Sequence, residues 1–207
     1  MVLLLPAAFA LGCVPVGRVV LRLLDRSHDA PPDKAGAHAV MKRVGVGPAI
    51  AVGALDCLKG YAIGRWARRR GAGRNAVGLL AVAPLLANVF VVRGRGAATG
   101  VGSAMAISEA DMAVVAVPIV GFTAARHHAF GVMIGVLCLP FSRWLWCRKA
   151  WAPFWAAVIS GVLIYARLRG EGNRAEGPLT REVAWSRFWF DRDPPAPGAG
   201  SREGKTA

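Results

Sequence analysis

Apolar blocks at roughly 1–24, 46–64, 76–92, 97–107, 112–125, 129–142 and 150–166 limit what this chain can fold into. A helix needs about 20 apolar residues, with a range of about 17–25, to cross a hydrocarbon core. The first three blocks and the last meet or approach that length. The central three are short, so they are expected to tilt, break or re-enter, and Gly-rich short helices commonly border a polar cavity. Hydrophobic residues make up 55% of the 207 positions and charged residues 18%, against about 45–50% and about 25% in soluble domains. The sequence therefore predicts an all-α, polytopic transmembrane helical bundle of about seven membrane segments, some short or re-entrant.

Lys and Arg number 26 against 12 Asp and Glu, a net charge of +14. On a soluble protein that balance points to nucleic acid. No compact basic domain exists outside the apolar blocks, so the charge is read as loops that meet anionic headgroups or phosphorylated metabolites and fix topology, with no nucleic-acid partner. Cys13, Cys57, Cys138 and Cys147 are scattered without a C-x-x-C pair. They read as small apolar helix residues, with no disulfide framework and no metal site. Met1 to Gly12 has some signal-peptide character, but no Lys or Arg precedes the apolar run, which continues to Leu24. A retained first transmembrane helix is expected.

The segment from Asp25 to Arg43 carries Pro31-Pro32, which blocks helix continuation, and reads as a structured loop or re-entrant segment. Arg65, Arg68, Arg69, Arg70 and Arg74 form a run that reads as a cytoplasmic topogenic signal. After Glu171 the chain turns polar. An aromatic patch, Trp185 to Phe190, with Arg181, Arg187 and Arg192, suits a membrane interface, and disorder is expected from about Pro194. The expected division is a membrane domain over 1–172 and a polar tail over 173–207.

Several positions carry chemistry. Asp56 and Lys59, three apart on one helix face within an apolar block, read either as a site or as an ion pair that packs the bundle. Gly94-Arg95-Gly96-Ala97-Ala98-Thr99 offers backbone N–H groups, a guanidinium and a hydroxyl ahead of a helix; it suits a phosphate dianion, or simply turns the chain. Gly36-Ala37-His38, with Lys34, Lys42 and Arg43, is a second basic small-residue segment, where His38 is a general base or a solvated loop residue. His127 and His128 have no partner motif. Arg167-Leu168-Arg169-Gly170-Glu171 closes the last block.

Taken in order, these elements resemble the bacterial membrane glycerol-3-phosphate acyltransferase family that uses acyl-phosphate as donor, the PlsY type. The family's Gly-Ser-Ile-Pro-Phe-Gly stretch is replaced by Gly12-Cys13-Val14-Pro15-Val16-Gly17. Its first cytoplasmic motif is similar to Pro31 through Lys42, where Gly36 and Ala37 match. Its Asp-x-x-Lys-Gly signature is complete as Asp56, Lys59 and Gly60. Its Gly-Gly-Lys-Gly-Val-Ala-Thr motif resembles Arg93 through Thr99, with Arg95 for Lys, and Ala87-Asn88 stands where Gly-His precedes it. Arg167, Leu168, Gly170 and Glu171 echo the third motif without its Asn.

The resemblance, over roughly residues 10–172, implies acyl transfer from acyl-phosphate to glycerol 3-phosphate at the inner face of the cell membrane, giving lysophosphatidate without metal or other cofactor. It implies that Arg95 and the Gly94 and Gly96 amides hold phosphate, with Thr99 capping the next helix. Lys42, Lys59 and Arg167 neutralise charge, and Gly36, Asp56 and Glu171 support the site. Arg for Lys changes the shape of the charge, and the lost Ser, Asn and His remove hydrogen bonds, each worth about 10²–10³ in rate. The alternative is therefore a non-catalytic paralogue that binds phospholipid or a lipid-synthesis partner; a small transporter of phosphorylated solutes is a third reading. The acyltransferase reading places the loops around 25–45, 93–99 and 167–175 on one cytoplasmic side, which turns the Arg65–Arg74 run outward against the positive-inside tendency.

Overall fold

A computed structural model describes residues 3–25, 36–94, 96–109, 111–124, 127–146, 151–169 and 180–190 of the protein. Every regular element among them is helical: α1 (Leu4–Gly12), α2 (Val16–Leu24), α3 (Ala37–Arg43), α4 (Val46–Arg69), α5 (Arg74–Leu86) with a π-helical turn (Ala87–Val91), α6 (Ala97–Ile107), α7 (Asp111–Ala124), α8 (His128–Trp146), α9 (Trp151–Leu168) and α10 (Arg181–Phe190). Each apolar block forms one helix or one broken helix. Val46–Arg69, Arg74–Val91 and Trp151–Leu168 are long and apolar enough to cross a bilayer. The α1–α2 pair, bent by 42°, adds a fourth if it acts as one span, and α6 and Phe130–Trp146 of α8 are shorter apolar helices.

Helix α5 is the centre of the bundle. Leu80 through Leu85 are all buried, as expected of a helix covered on every side. Val82, Leu85 and Val89 pack with Ile107 of α6, Val136 and Leu139 of α8, and Ile159 and Leu163 of α9. The periphery is apolar too: Ile50, Leu58, Val117, Val120 and Phe154 are exposed. In water such a surface is a liability; against lipid tails it costs nothing, and close packing by small residues holds the helices together instead. Gly102 of α6 shows this, since a Cβ there would run into the Cys57 carbonyl of α4.

Prolines break the backbone ladders, and neighbours repair them. Pro15 has no N–H, so α1 and α2 separate at Cys13–Pro15. Pro140 inside α8 frees the carbonyl four residues earlier, at Val136; Ser160 of α9 donates its hydroxyl to that oxygen at 2.7 Å.

The two ends of the bundle differ. At one end lie the α1–α2 break, the start of α6 and the end of α9. At the other, α4 meets the end of α6: Arg65 and Arg68 both reach Glu109 Oε1 at 3.2 Å, and Arg68 Nη1 donates to the Ile107 carbonyl at 3.2 Å. The arginine run thus has a structural task that its sequence did not reveal. Arg68 meets the carbonyl end of α6, where the helix dipole is negative, Arg65 joins it on Glu109, and Arg70 lies 5.1 Å above the Trp66 ring.

Candidate active site

Lys59 organises the first cluster. It is 5% exposed in the middle of α4, and its ammonium donates to Asp56 Oδ1 at 2.7 Å and to the Val14 carbonyl. Val14 precedes Pro15, which disfavours the α conformation there, so its carbonyl lies outside the helical ladder; it accepts from the Val16 N–H at 3.0 Å and keeps a lone pair for Lys59. The i, i+3 pair therefore pins α4 to the break between α1 and α2. Gly60, next along α4, lets α6 approach: a Cβ there would meet the Thr99 carbonyl and lie 2.7 Å from the Ser103 nitrogen. Asp56, Lys59 and Gly60 thus act together, two as an anchor and one as a gap.

The π-helical turn is the second cluster. Its Asn88, 7% exposed, donates from Nδ2 to Thr99 Oγ1 at 2.9 Å. The chain then leaves the turn through Arg93, whose φ of 60° is left-handed. Val92 N–H donates to the Ala87 carbonyl at 3.1 Å and Gly94 N–H to the Asn88 carbonyl at 2.9 Å. This is a Schellman-like closure, widened by the π geometry. Gly94 has no room for a side chain because a Cβ there would strike Asn88 Oδ1. Gly96, left-handed at φ 70°, precedes α6 and fits against Leu85, Val89 and Leu163. No side chain among the described residues caps α6, so its first-turn N–H groups form the electropositive edge of this cluster.

Sequence-based expectations divide here. Gly94 and Gly96 lie where the loop meets α6, but the Gly94 amide is already bonded to Asn88. Thr99 is fully buried in the third position of α6 and accepts from Asn88; it does not cap the helix, whose cap position is Gly96. Arg95 and Glu171 lie outside the described residues. Lys42 is exposed on α3, the helix that Gly36 opens and that an Arg43–Asp25 pair at 3.1 Å ties to α2. Arg167, 9% exposed, donates through Nε to the Arg187 carbonyl of α10 at 3.1 Å, while Arg187 donates to the Leu168 carbonyl.

Three contributors went unassigned in the sequence. Asn88 is the hinge of the second cluster. Ser103 bonds to the Ala81 carbonyl at 2.6 Å and to the Thr99 carbonyl at 2.9 Å. Arg169 donates to the Val89 carbonyl of the π-helical turn at 3.3 Å, joining the end of α9 to the loop's root. A polar residue inside an apolar block, as Asn88 and Ser103 both are, is the sequence signal for such a role.

The arrangement brings an ion pair, a helix break, an uncapped helix N-terminus and the basic end of α9 to one end of an apolar bundle. Such a place suits an anionic substrate handled beside a bilayer. The bundle has the fold of a crystal structure of PlsY (YgiH), an integral membrane glycerol 3-phosphate acyltransferase, in its lysophosphatidic acid form. The TM-score is 0.71 at 22% identity, covering 80% of this chain and 87% of that one. The glycerol 3-phosphate form of PlsY matches equally well, with a TM-score of 0.71 at 21% identity over 81% and 88% of the two chains. No curated protein sequence matches the chain significantly. The sequence model described as glycerol-3-phosphate acyltransferase matches residues 2–175, which takes in both clusters and every helix from α1 to α9. On that match and the shared fold, this chain belongs to the glycerol-3-phosphate acyltransferase family.

Proposed function

We propose that the protein transfers an acyl group from acyl-phosphate to the primary hydroxyl of glycerol 3-phosphate, as a multi-pass protein of the cell membrane acting at its inner face. One observation carries this reading: the Asp56–Lys59 anchor, Gly94, Gly96 and the start of α6 all converge at one end of the bundle. In the reaction the glycerol oxygen forms a bond to the acyl carbon, and the bond from that carbon to the phosphate oxygen breaks. The hydroxyl proton passes to the departing phosphate or to water. An acyl-phosphate carries its own leaving group, so the site's tasks are to hold two anions together and to stabilise the oxyanion. The α6 N–H groups and the guanidinium of Arg95 supply phosphate binding in this reading, with Lys42 and Arg167 adding positive charge. Lys59, with two of its three donors engaged, acts chiefly by holding the α1–α2 break in place.

Asn88 donates to Thr99 inside the bundle, which favours a second reading: their polar groups serve packing, and the chain is a non-catalytic relative that binds phospholipid. An assay separates the two. Purified protein in lipid is given acyl-phosphate and labelled glycerol 3-phosphate. Lysophosphatidate well above an Arg95→Ala control supports the enzyme. No product from a folded protein, beside an active family member, leaves the second reading.

A further inference from the structure

At the end of the bundle away from this site, α5 and α9 begin side by side around a shallow groove of about 610 Å³ lined by Asn75, Trp151, Phe154 and Trp155. The groove is built into the packing. Trp155 lies against Gly78 of α5, where any Cβ would strike the indole, and its Nε1 donates to Asn75 Oδ1 at 3.4 Å. The Arg74 guanidinium stands 6.0 Å from the centre of the Trp151 ring. The Trp151 indole N–H is buried and has no acceptor among the described residues.

Depth and charge identify the occupant. Two bilayer-length spans, Arg74–Val91 and Trp151–Leu168, start at this groove, which sets it at headgroup level. Two helix N-termini add their positive dipole ends. Arg65 and Arg68 share Glu109, while Arg69, Arg70 and Arg74 make no ion pair among the described residues. Phe154, exposed beside the groove, offers an apolar path into the tail region. A second copy of this chain would bring the same arginines to meet these and be repelled.

We propose that this groove seats one anionic phospholipid of the surrounding bilayer. Its phosphate lies against Arg74 and the first turns of α5 and α9, and its acyl chains pass Phe154. The site is separate from the acyl-transfer site and does not depend on that activity.

Native mass spectrometry of the full chain, released from detergent with palmitoyl-oleoyl phosphatidylglycerol or phosphatidylcholine, tests the proposal. The wild type is expected to retain one phosphatidylglycerol in preference to phosphatidylcholine. Arg74→Gln weakens that retention about fivefold, the usual worth of one arginine at an anionic surface. Arg74→Lys keeps the preference, which guards against a folding defect in the Gln variant, and Arg22→Gln, on α2, leaves it unchanged. Four results would overturn the assignment: equal retention of the two lipids, equal retention by wild type and Arg74→Gln, full displacement by inorganic phosphate, or a protein dimer in place of the lipid adduct.

Discussion

The amide nitrogen of Asn88 lies 2.9 Å from the hydroxyl oxygen of Thr99, and neither side chain has much contact with the surroundings of the bundle. The bond joins the π-helical turn to the first turn of α6, so the loop between them is held at both roots. Thr99→Val keeps the shape and removes the acceptor, leaving a buried N–H at a cost of about 1–3 kcal/mol. Asn88→Leu should cost a similar amount. The double variant should lose less than the sum of the two, since contacting residues couple by about 0.5–3 kcal/mol. Thermal unfolding in one detergent measures all three. Additive losses would show that the two side chains do not act as a pair.

Lys59 and Asp56 make a stronger test. Lys59→Met strands a half-buried carboxylate and removes the ammonium from the Val14 carbonyl, which keeps only its bond from the Val16 N–H, and breaking a buried pair costs about 3–5 kcal/mol. Replacing both partners, as Asp56→Leu with Lys59→Met, should restore part of the stability and none of the acyl transfer, because the α1–α2 break loses its anchor either way. Unfolding midpoints and product formation are read on the same samples. A double variant as active as the wild type would remove the anchor from the mechanism.

Glycines of α4 should separate sharply. At Gly60 an added methyl meets the Thr99 carbonyl and the Ser103 backbone, which cannot move without shifting α6; at Gly53 nothing lies within 4 Å. Gly60→Ala is therefore expected to destabilise by about 1–3 kcal/mol or more through overpacking. Gly53→Ala, at an open helical position, should stabilise by about 0.5–1 kcal/mol. Similar unfolding temperatures for the two variants would contradict the close α4–α6 approach.

Much of the architecture was legible in the sequence because the bilayer leaves so few options. Each apolar block forms a helix, and the all-helical class follows from the need to satisfy backbone groups internally. The Asp56–Lys59 pair was readable from its spacing alone. What the pair grips was not: the Val14 carbonyl is a backbone atom 45 positions away, placed outside the helical ladder where Pro15 breaks the first block. The Gly94–Thr99 segment read either as a phosphate loop or as a simple turn of the chain. In the fold the Gly94 amide closes the preceding helix and Thr99 is buried and bonded to Asn88. Composition cannot distinguish an amide offered to a ligand from one already spent on a neighbour. The arginine run likewise read as a topology signal, because its contacts with Ile107 and Glu109 depend on how α4 crosses α6.

Pro140 and Ser160 give a test of backbone repair inside the bundle. Proline at 140 deprives the Val136 carbonyl of its helical donor, and the Ser160 hydroxyl takes that donor's place at 2.7 Å. Both Val136 and Ser160 are buried, so Ser160→Ala leaves an acceptor with no partner. Interhelical bonds of this kind in membranes average about 0.6 kcal/mol and reach about 1.7 kcal/mol, and a loss in that range is expected. Pro140→Ala restores an N–H four residues from Val136 and allows the ladder to close. In that background Ser160→Ala should cost little, because the carbonyl no longer needs the hydroxyl. Unfolding midpoints of the two single variants and the double variant decide the matter. If Ser160→Ala costs as much in the Pro140→Ala background as in the wild type, the serine contributes by packing alone and the α8–α9 contact does not rest on the broken ladder.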